Sequence, residues 1–438
     1  MSDTQIQSEH DGANGKALIP FFVFLFFYLG LSIWANDFYK VPMPIAFLVA
    51  SATALLMNRK QKLSEKVEIY ARGMGEENIM IMCLIFILAG AFATIAKGMG
   101  AVDSAVLIAR NLVPDSLLLT GIFVVSCFIS LSIGTSCGTI AALTPIAIGL
   151  IGPMQISPGL MLGAVICGAM FGDNMSMISD TTISATRTQQ VSMRDKFIMN
   201  FKIVLPAALL SIVIYLFLGK NGSAQTVAGI TWKNIVLILP YLMILVGALI
   251  GMNVMALLFT GTVVSAVIGI LSGTFDFWTA LELIGKGALG MSETLIVAIL
   301  AGGLLCIIRH NGGIRYVMQK IEKHITTARG CEFGVCLLVS IVNLFTANNT
   351  VAIVIAGPIA KELSLKYNCD PRRVASLLDT CSCVIQGIIP YGAQLLIALG
   401  IAKTADVKVS SFSLLGSMYY TWLLAVAVII TIVIRRKR

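Results

Sequence analysis

The residues with the most chemistry lie in one short run, Gly172 to Thr182 (GDNMSMISDTT), inside otherwise apolar sequence. It holds two carboxylates, Asp173 and Asp180, an amide, Asn174, and the hydroxyls of Ser176, Ser179, Thr181 and Thr182. The acids are seven residues apart, so on a continuous helix they share one face about 10 Å apart. An unwound turn between them would bring them closer. Acids inside a membrane cost about 3 kcal/mol each on insertion scales and mark an ion or proton pathway.

The surrounding composition is that of a membrane protein. Of 438 residues, 57% are hydrophobic and 12% charged, where an ordinary soluble domain has about a quarter charged. Apolar windows of about 18 residues recur along the whole length, which predicts a polytopic all-α membrane protein. The short alternating segments of a membrane β-barrel are missing. The net charge of +9 sits in short loops and at the C-terminus, so it orients the chain in a bilayer and is no nucleic-acid footprint. Most of the ten cysteines fall in apolar segments and read as small core residues. Cys381 and Cys383 form a lone CxC without a second pair at zinc spacing.

The predicted spans are 17–34, 41–57, 79–97, a paired element 117–151, 159–180 and 203–219, then 234–250, 254–272, 291–308, a paired element 331–360, 372–400 and 413–434. Segments 61–77, 275–290 and 311–328 read as interfacial helices or loops. The two lists match at a shift near 213 residues: Pro145-Ile146-Ala147 falls on Pro358-Ile359-Ala360, Pro158 on Pro371, and Thr135-Ser136 on Asn348-Asn349. This predicts a polar tail at 1–16, a first repeat at 17–219, an external linker at 220–233 and a second repeat at 234–438.

Charge orients the halves. The loop with Arg59, Lys60, Lys62, Lys66 and Arg72 is cytoplasmic by the positive-inside rule. By alternation, 186–202 (Arg187, Arg194, Lys196) and 361–373 (Lys361, Lys366, Arg372, Arg373) are inside as well, while 152–158, the counterpart of the latter, is outside. The repeats are thus expected to be inverted copies, with both termini cytoplasmic, as in carriers that work by alternating access. Such folds place their site at the midplane, where broken helices and hairpin tips leave backbone free.

Four stretches have that composition. Gly134-Thr135-Ser136-Cys137-Gly138 and its counterpart Thr346-Ala347-Asn348-Asn349-Thr350 suit hairpin tips. The acidic run and its counterpart Gly387 to Gln394 suit helix breaks, the latter through Pro390-Tyr391-Gly392. Asp379 is a further acid in an apolar helix, either an ion ligand or the partner of a Lys or Arg. His10, His310 and His324 lie outside the spans, and no Lys or Arg is expected at a span centre. The core therefore offers acids, amides, hydroxyls and carbonyls, the ligand set of hard cations such as Na+. One carboxylate in low dielectric can hold either a proton or Na+.

Gly172-Asp173, Ser176 and Ser179-Asp180-Thr181-Thr182 resemble the GD-x-x-S-P-x-S-D-T-T signature of the NhaC-type Na+/H+ antiporters, with Met177 where the family has proline. Asn349-Thr350 resembles the end of the hairpin-tip sodium motif of their wider superfamily. The resemblance implies two inverted repeats with re-entrant hairpins and broken helices, and Na+/H+ exchange across a bacterial inner membrane. Relatives that exchange organic acids leave a Na+- or H+-coupled carrier of a small organic or amino acid as the alternative. The reading places Na+ at Asp173, Asp180 and Asn349. Asn174, Ser176, Ser179, Thr181, Asn348, Thr350 and Asp379 are further ion or proton ligands, and Gly134, Thr135, Ser136, Gly138, Pro390 and Gly392 shape the backbone. No cofactor is called for; the partners are Na+, H+ and the lipid bilayer, with a homodimer compatible and no nucleic acid.

Overall fold

The computed structural model describes residues 12–34, 41–58, 61–219 and 229–434. His10, Arg59, Lys60, the tail Arg435 to Arg438 and most of the expected linker lie outside them. Among the described residues the fold is all helix, with no strand. Ten helical stretches there are long and apolar enough to cross a membrane.

The first half runs α1 (Ile19–Trp34), α2 (Met43–Leu56), α3 (Leu63–Met74), α4 (Glu77–Gly98), α5 (Ala101–Leu112), α6 (Asp115–Ile133), α7 (Ser136–Met154), α8 (Pro158–Met175), α9 (Asp180–Gln189) and α10 (Met193–Leu218). The second runs α11 (Trp232–Leu237), α12 (Leu239–Leu249), α13 (Val254–Leu271), α14 (Phe277–Gly290), α15 (Ser292–His310), α16 (Gly313–Glu322), α17 (Ala328–Thr346), α18 (Asn349–Lys366), α19 (Pro371–Ile388), α20 (Ala393–Thr404), α21 (Ser411–Gly416) and α22 (Tyr419–Val433).

The helix boundaries carry the 213-residue shift to the residue. α6 and α17 start at 115 and 328 and end at 133 and 346; α8 and α19 start at 158 and 371 and end at 175 and 388. α7 and α18 start at 136 and 349, and α9 and α20 at 180 and 393. Packing follows the same exchange: α7 lies on α20 while their counterparts α18 and α9 lie on each other, and α4 lies on α14 while α15 lies on α3. Contacts of this kind, swapped between halves, are those of a pseudo-two-fold arrangement.

Several expectations are corrected. The expected spans 159–180 and 372–400 run further, to Gln189 and Thr404, each as two helices about its expected break. The expected cytoplasmic loop 186–202 is almost entirely helical, because α9 runs to Gln189 and α10 begins at Met193 after the Ser192 cap. Lys196 is consequently inside the fold and 1% exposed, not a loop charge. Lys66 is also buried, and its ammonium donates to the Leu55 and Met57 carbonyls that close α2. The expected span 234–250 divides into α11 and α12 ahead of Pro240, and 413–434 divides into α21 and α22. Helix α5 was not expected; its Asp103, Ser104 and Arg110 break the apolar pattern that identifies a span.

Candidate functional site

Both paired elements fold as hairpins, α6 on α7 and α17 on α18. Each first leg ends on a left-handed residue, Gly134 (φ 73°) and its counterpart Ala347 (φ 48°). At Gly134 a Cβ would meet Ile178 on the helix break at 2.8 Å. Ala347 holds the same conformation with a side chain, a strained state for an L-residue.

The helix breaks are equally matched. α8 ends into Ser176 (φ −68°, ψ 134°), and α9 restarts after Ser179 (φ −66°, ψ 139°). α19 ends into Ile389 (φ −69°, ψ 117°), and α20 restarts after Gly392 (φ −76°, ψ 151°). In the second break Pro390 forbids a continuous helix. In the first, side chains do so: Ser176 Oγ donates to the Leu131 carbonyl at 2.8 Å and accepts from the Ile178 N–H at 3.3 Å. Tyr391 donates to the Leu344 carbonyl at 2.7 Å, the counterpart of the Leu131 contact.

Met177 therefore does not prevent the break. It is 44% exposed, and Ser176 before it already has the extended backbone that a following proline demands. We expect Met177→Pro to be tolerated and to stabilise by about 0.4–1 kcal/mol through the unfolded state. Thermal denaturation in detergent checks this, and a clear loss of stability would show that the segment needs an N–H at 177.

The four stretches meet at one cavity of about 130 Å³, room for several waters. It is lined by Gly134, Thr135, Ser136 and Cys137 of one tip and Ala347, Asn348, Asn349 and Thr350 of the other. Asp173, Ser179, Asp180 and Thr181 come from the first break, and Gln386, Ala393 and Gln394 from the second. Asn78, Ile81, Met82 and Ile85 of α4 complete it; sequence reasoning did not find them.

Asp173 is 5% exposed. Its Oδ1 accepts from Ser179 Oγ at 2.5 Å and its Oδ2 from Ser136 Oγ at 2.8 Å. Ser179 also lies 2.9 Å from Thr181 Oγ1. Ser136 accepts from Gln394 Nε2 at 3.0 Å, and Gln394 Oε1 accepts from Gln386 Nε2 at 2.8 Å. Gln386 donates on to the Ala347 carbonyl at 3.0 Å. A polar chain thus runs from the carboxylate of one half to the hairpin tip of the other.

Gln386 was missed, although it is the 213-shift counterpart of Asp173; a neutral amide in an apolar helix gives no signal until the repeat is applied residue by residue. Its Oε1 and the Nδ2 of Asn349 are buried without partners. Asp180 is exposed and opens α9. Asn348 caps α18 by accepting from the Val351 N–H at 3.0 Å.

The remaining expected site residues lie elsewhere. Asn174 turns away from the cavity, its Oδ1 accepting from Asn200 at 2.7 Å. Asp379 forms an ion pair with Lys196, the second of the two roles its position allows. Ser176 pins the break, Pro390 and Gly392 form the other break, and at Gly138 an added Cβ would strike Val254 at 2.4 Å.

Comparison with known proteins finds similar chains. A protein from Bacillus subtilis named Na+/H+ antiporter NhaC is 28% identical over 81% of this chain and 84% of its own. The malate-2H+/Na+-lactate antiporter of the same organism is 24% identical over 95% of this chain and 94% of its own. The solved YdaH transporter of Alcanivorax borkumensis aligns with 80% of this chain and 84% of its own at TM-score 0.40 and 14% identity, too distant to inform the site. The family model for Na+/H+ antiporters matches residues 14–220 and 225–435, and the chain belongs to the Na+/H+ antiporter family.

Proposed function

We propose that the chain exchanges Na+ for H+ by alternating access, with Asp173 as the group that binds one or the other. The observation that supports this reading is the shared cavity, lined by both hairpin tips and both helix breaks around the buried carboxylate of Asp173. Hydroxyls of Ser136, Ser179 and Thr181 stand beside it. Rotation of these hydroxyls turns lone pairs toward a bound cation, and hydrogens toward an empty carboxylate. Asp180 and the amides of Asn349 and Gln386 supply further oxygens around the same space.

Exchange follows from energetics. A bare carboxylate buried at membrane depth is costly to carry across. Loading with either H+ or Na+ removes the charge, so the loaded forms cross and the empty form is held back. The Ser136–Gln394–Gln386 chain makes occupancy at Asp173 felt in the other half. The positive-inside pattern supports inverted repeats and cytoplasmic termini, and the similarity to bacterial antiporters supports residence in a bacterial inner membrane.

A second reading has its own observation. The helices α7, α9 and α20 all begin at the cavity, and none has a side-chain cap. Free N–H groups there, with the unpaired Nδ2 of Asn349, suit a carboxylate. A Na+-coupled carrier of a small organic acid would use them, as the similarity to a malate/lactate exchanger suggests. The experiment is a Na+ jump on purified protein in liposomes with internal pH as the readout. Proton flux with no organic acid present supports Na+/H+ exchange; flux that appears only when malate, lactate or an amino acid is added overturns it in favour of the second reading.

A further inference from the structure

Behind the first helix break, away from the cavity, the fold buries a second polar seam. Lys196, in the first turn of α10, is 1% exposed, and Asp379 on α19 is fully buried; the two form an ion pair between the repeats. The same ammonium donates to the Asn174 carbonyl at 2.7 Å and to Thr182 Oγ1 at 2.8 Å. One turn along α10, Asn200 Nδ2 donates to the Asn174 carbonyl at 2.9 Å and to its Oδ1 at 2.7 Å. Asn200 Oδ1 in turn accepts from Ser376 and, at 3.4 Å, from Thr380 on α19.

The three hydrogens of the ammonium thus face a carboxylate, a peptide carbonyl and a hydroxyl. That is an all-oxygen donor set of net charge −1, the chemistry that holds a monovalent cation. The carbonyl is favourable for a cation twice over: it belongs to the last turn of α8, where carbonyls lack helical partners and the helix dipole is negative. The ammonium also bridges what the break separates, since Asn174 lies in the last turn of α8, Thr182 lies in the first turn of α9 and Asp379 belongs to the other half.

The seam exists once. The 213-shift counterparts of Lys196, Asp379 and Asn174 are Val409, Ile166 and Gly387. A requirement of the shared scaffold would recur in both halves, and this does not.

We propose that Lys196 is a resident cation: its ammonium permanently fills a monovalent-cation site between the repeats, so exchangeable Na+ is confined to the cavity. The site is intrinsically competent for a free ion and is kept from one by the tethered charge. Lys196→Ala empties it while leaving Asp379, Asn174 and Thr182 in place.

The test is Na+ and K+ binding to purified protein, with melting temperature as a second readout, in an Asp173→Asn background that removes the cavity carboxylate. The Asp173→Asn/Lys196→Ala protein is expected to gain one bound cation per chain over its Asp173→Asn parent. Its melting temperature should rise in NaCl or KCl and stay unchanged in choline chloride, and the two salts identify the ion. Lys196→Met, which keeps the space filled, should gain none. A Lys196→Ala protein that binds no additional cation overturns the proposal, as does one that recovers its fold in neither salt. Only the increment over the parent is read, so the outcome is separable from the role of Asp173.

Discussion

Asp173→Asn is expected to abolish Na+-driven proton movement while leaving the protein folded. The substituted amide keeps the shape of the carboxylate and can still accept a hydroxyl hydrogen through its oxygen, so α8 and its neighbours have no reason to move. What disappears is the charge that makes proton and Na+ alternatives. Proteoliposome flux should fall to the protein-free level, with a thermal unfolding curve close to that of the parent. Asp180→Asn is the informative comparison. Asp180 is exposed at the start of α9, so its loss should raise the Na+ concentration needed for half-maximal flux by about tenfold, the equivalent of ~1.4 kcal/mol, without stopping exchange. Equal, complete loss in both variants would show that the two acids act as one unit. Wild-type flux in Asp173→Asn would remove Asp173 from the mechanism.

Gly172→Val is expected to have the other large effect, on folding itself. Helix α8 approaches α6 so closely that a Cβ at 172 would lie 2.5 Å from both the Cys127 carbonyl and the Leu131 amide nitrogen. Gly168, one turn earlier, meets the Phe123 carbonyl at 2.4 Å in the same way. These neighbours are backbone and cannot swing aside, so the two helices must separate. Separation would break the bonds from Ser130 Oγ to the Ala169 carbonyl at 2.6 Å and from Ser176 Oγ to the Leu131 carbonyl. Small residues at such crossings are what permits membrane helices to pack. Overpacking costs about 1–3 kcal/mol even where side chains can yield, and here they cannot. The measurement is the yield of monodisperse protein after detergent extraction, and a normal yield would refute the argument. The glycine of the Gly-Asp pair is thereby explained as the residue that lets the acid be placed.

Much of this was legible in the sequence for definite reasons. Hydropathy marks a long span well, and hairpin tips and breaks announce themselves because glycine, proline and clustered hydroxyls are anomalous inside an apolar run. The shift of 213 residues could be found from the matching span lists together with Pro145 on Pro358 and Pro158 on Pro371, and the starts of α6 to α9 and α17 to α20 then fell where it placed them. Lys196 was not legible. A lysine just before an apolar stretch reads as a loop charge, and only the fold shows that Asn174, Thr182 and Asp379 converge on it from three other helices. Asn174 was misplaced for the same reason: adjacency to Asp173 in sequence says nothing about which side of α8 it takes. Gln386 carries no charge and breaks no pattern, so its importance emerged only as the counterpart of an acid. The lining contributed by α4 came from ordinary apolar residues and one asparagine, which no motif would single out.

The pairing of Asp173 with Gln386 has an electrical consequence. Two equivalent positions face the cavity, and a carboxylate at one against an amide at the other leaves only Asp173 of the pair able to alternate between charged and neutral. With Asp173 as the one exchanging group, the proposed cycle trades one Na+ for one proton, and no net charge crosses the bilayer. Such a cycle cannot draw on the membrane voltage, which would otherwise supply about 2.3 kcal/mol per charge per 100 mV; it runs on the concentration ratios of the two ions alone. Clamping the voltage of proteoliposomes with valinomycin and K+ should then leave the flux unchanged, and acceleration by an imposed potential would mean that a second charge travels with each turnover.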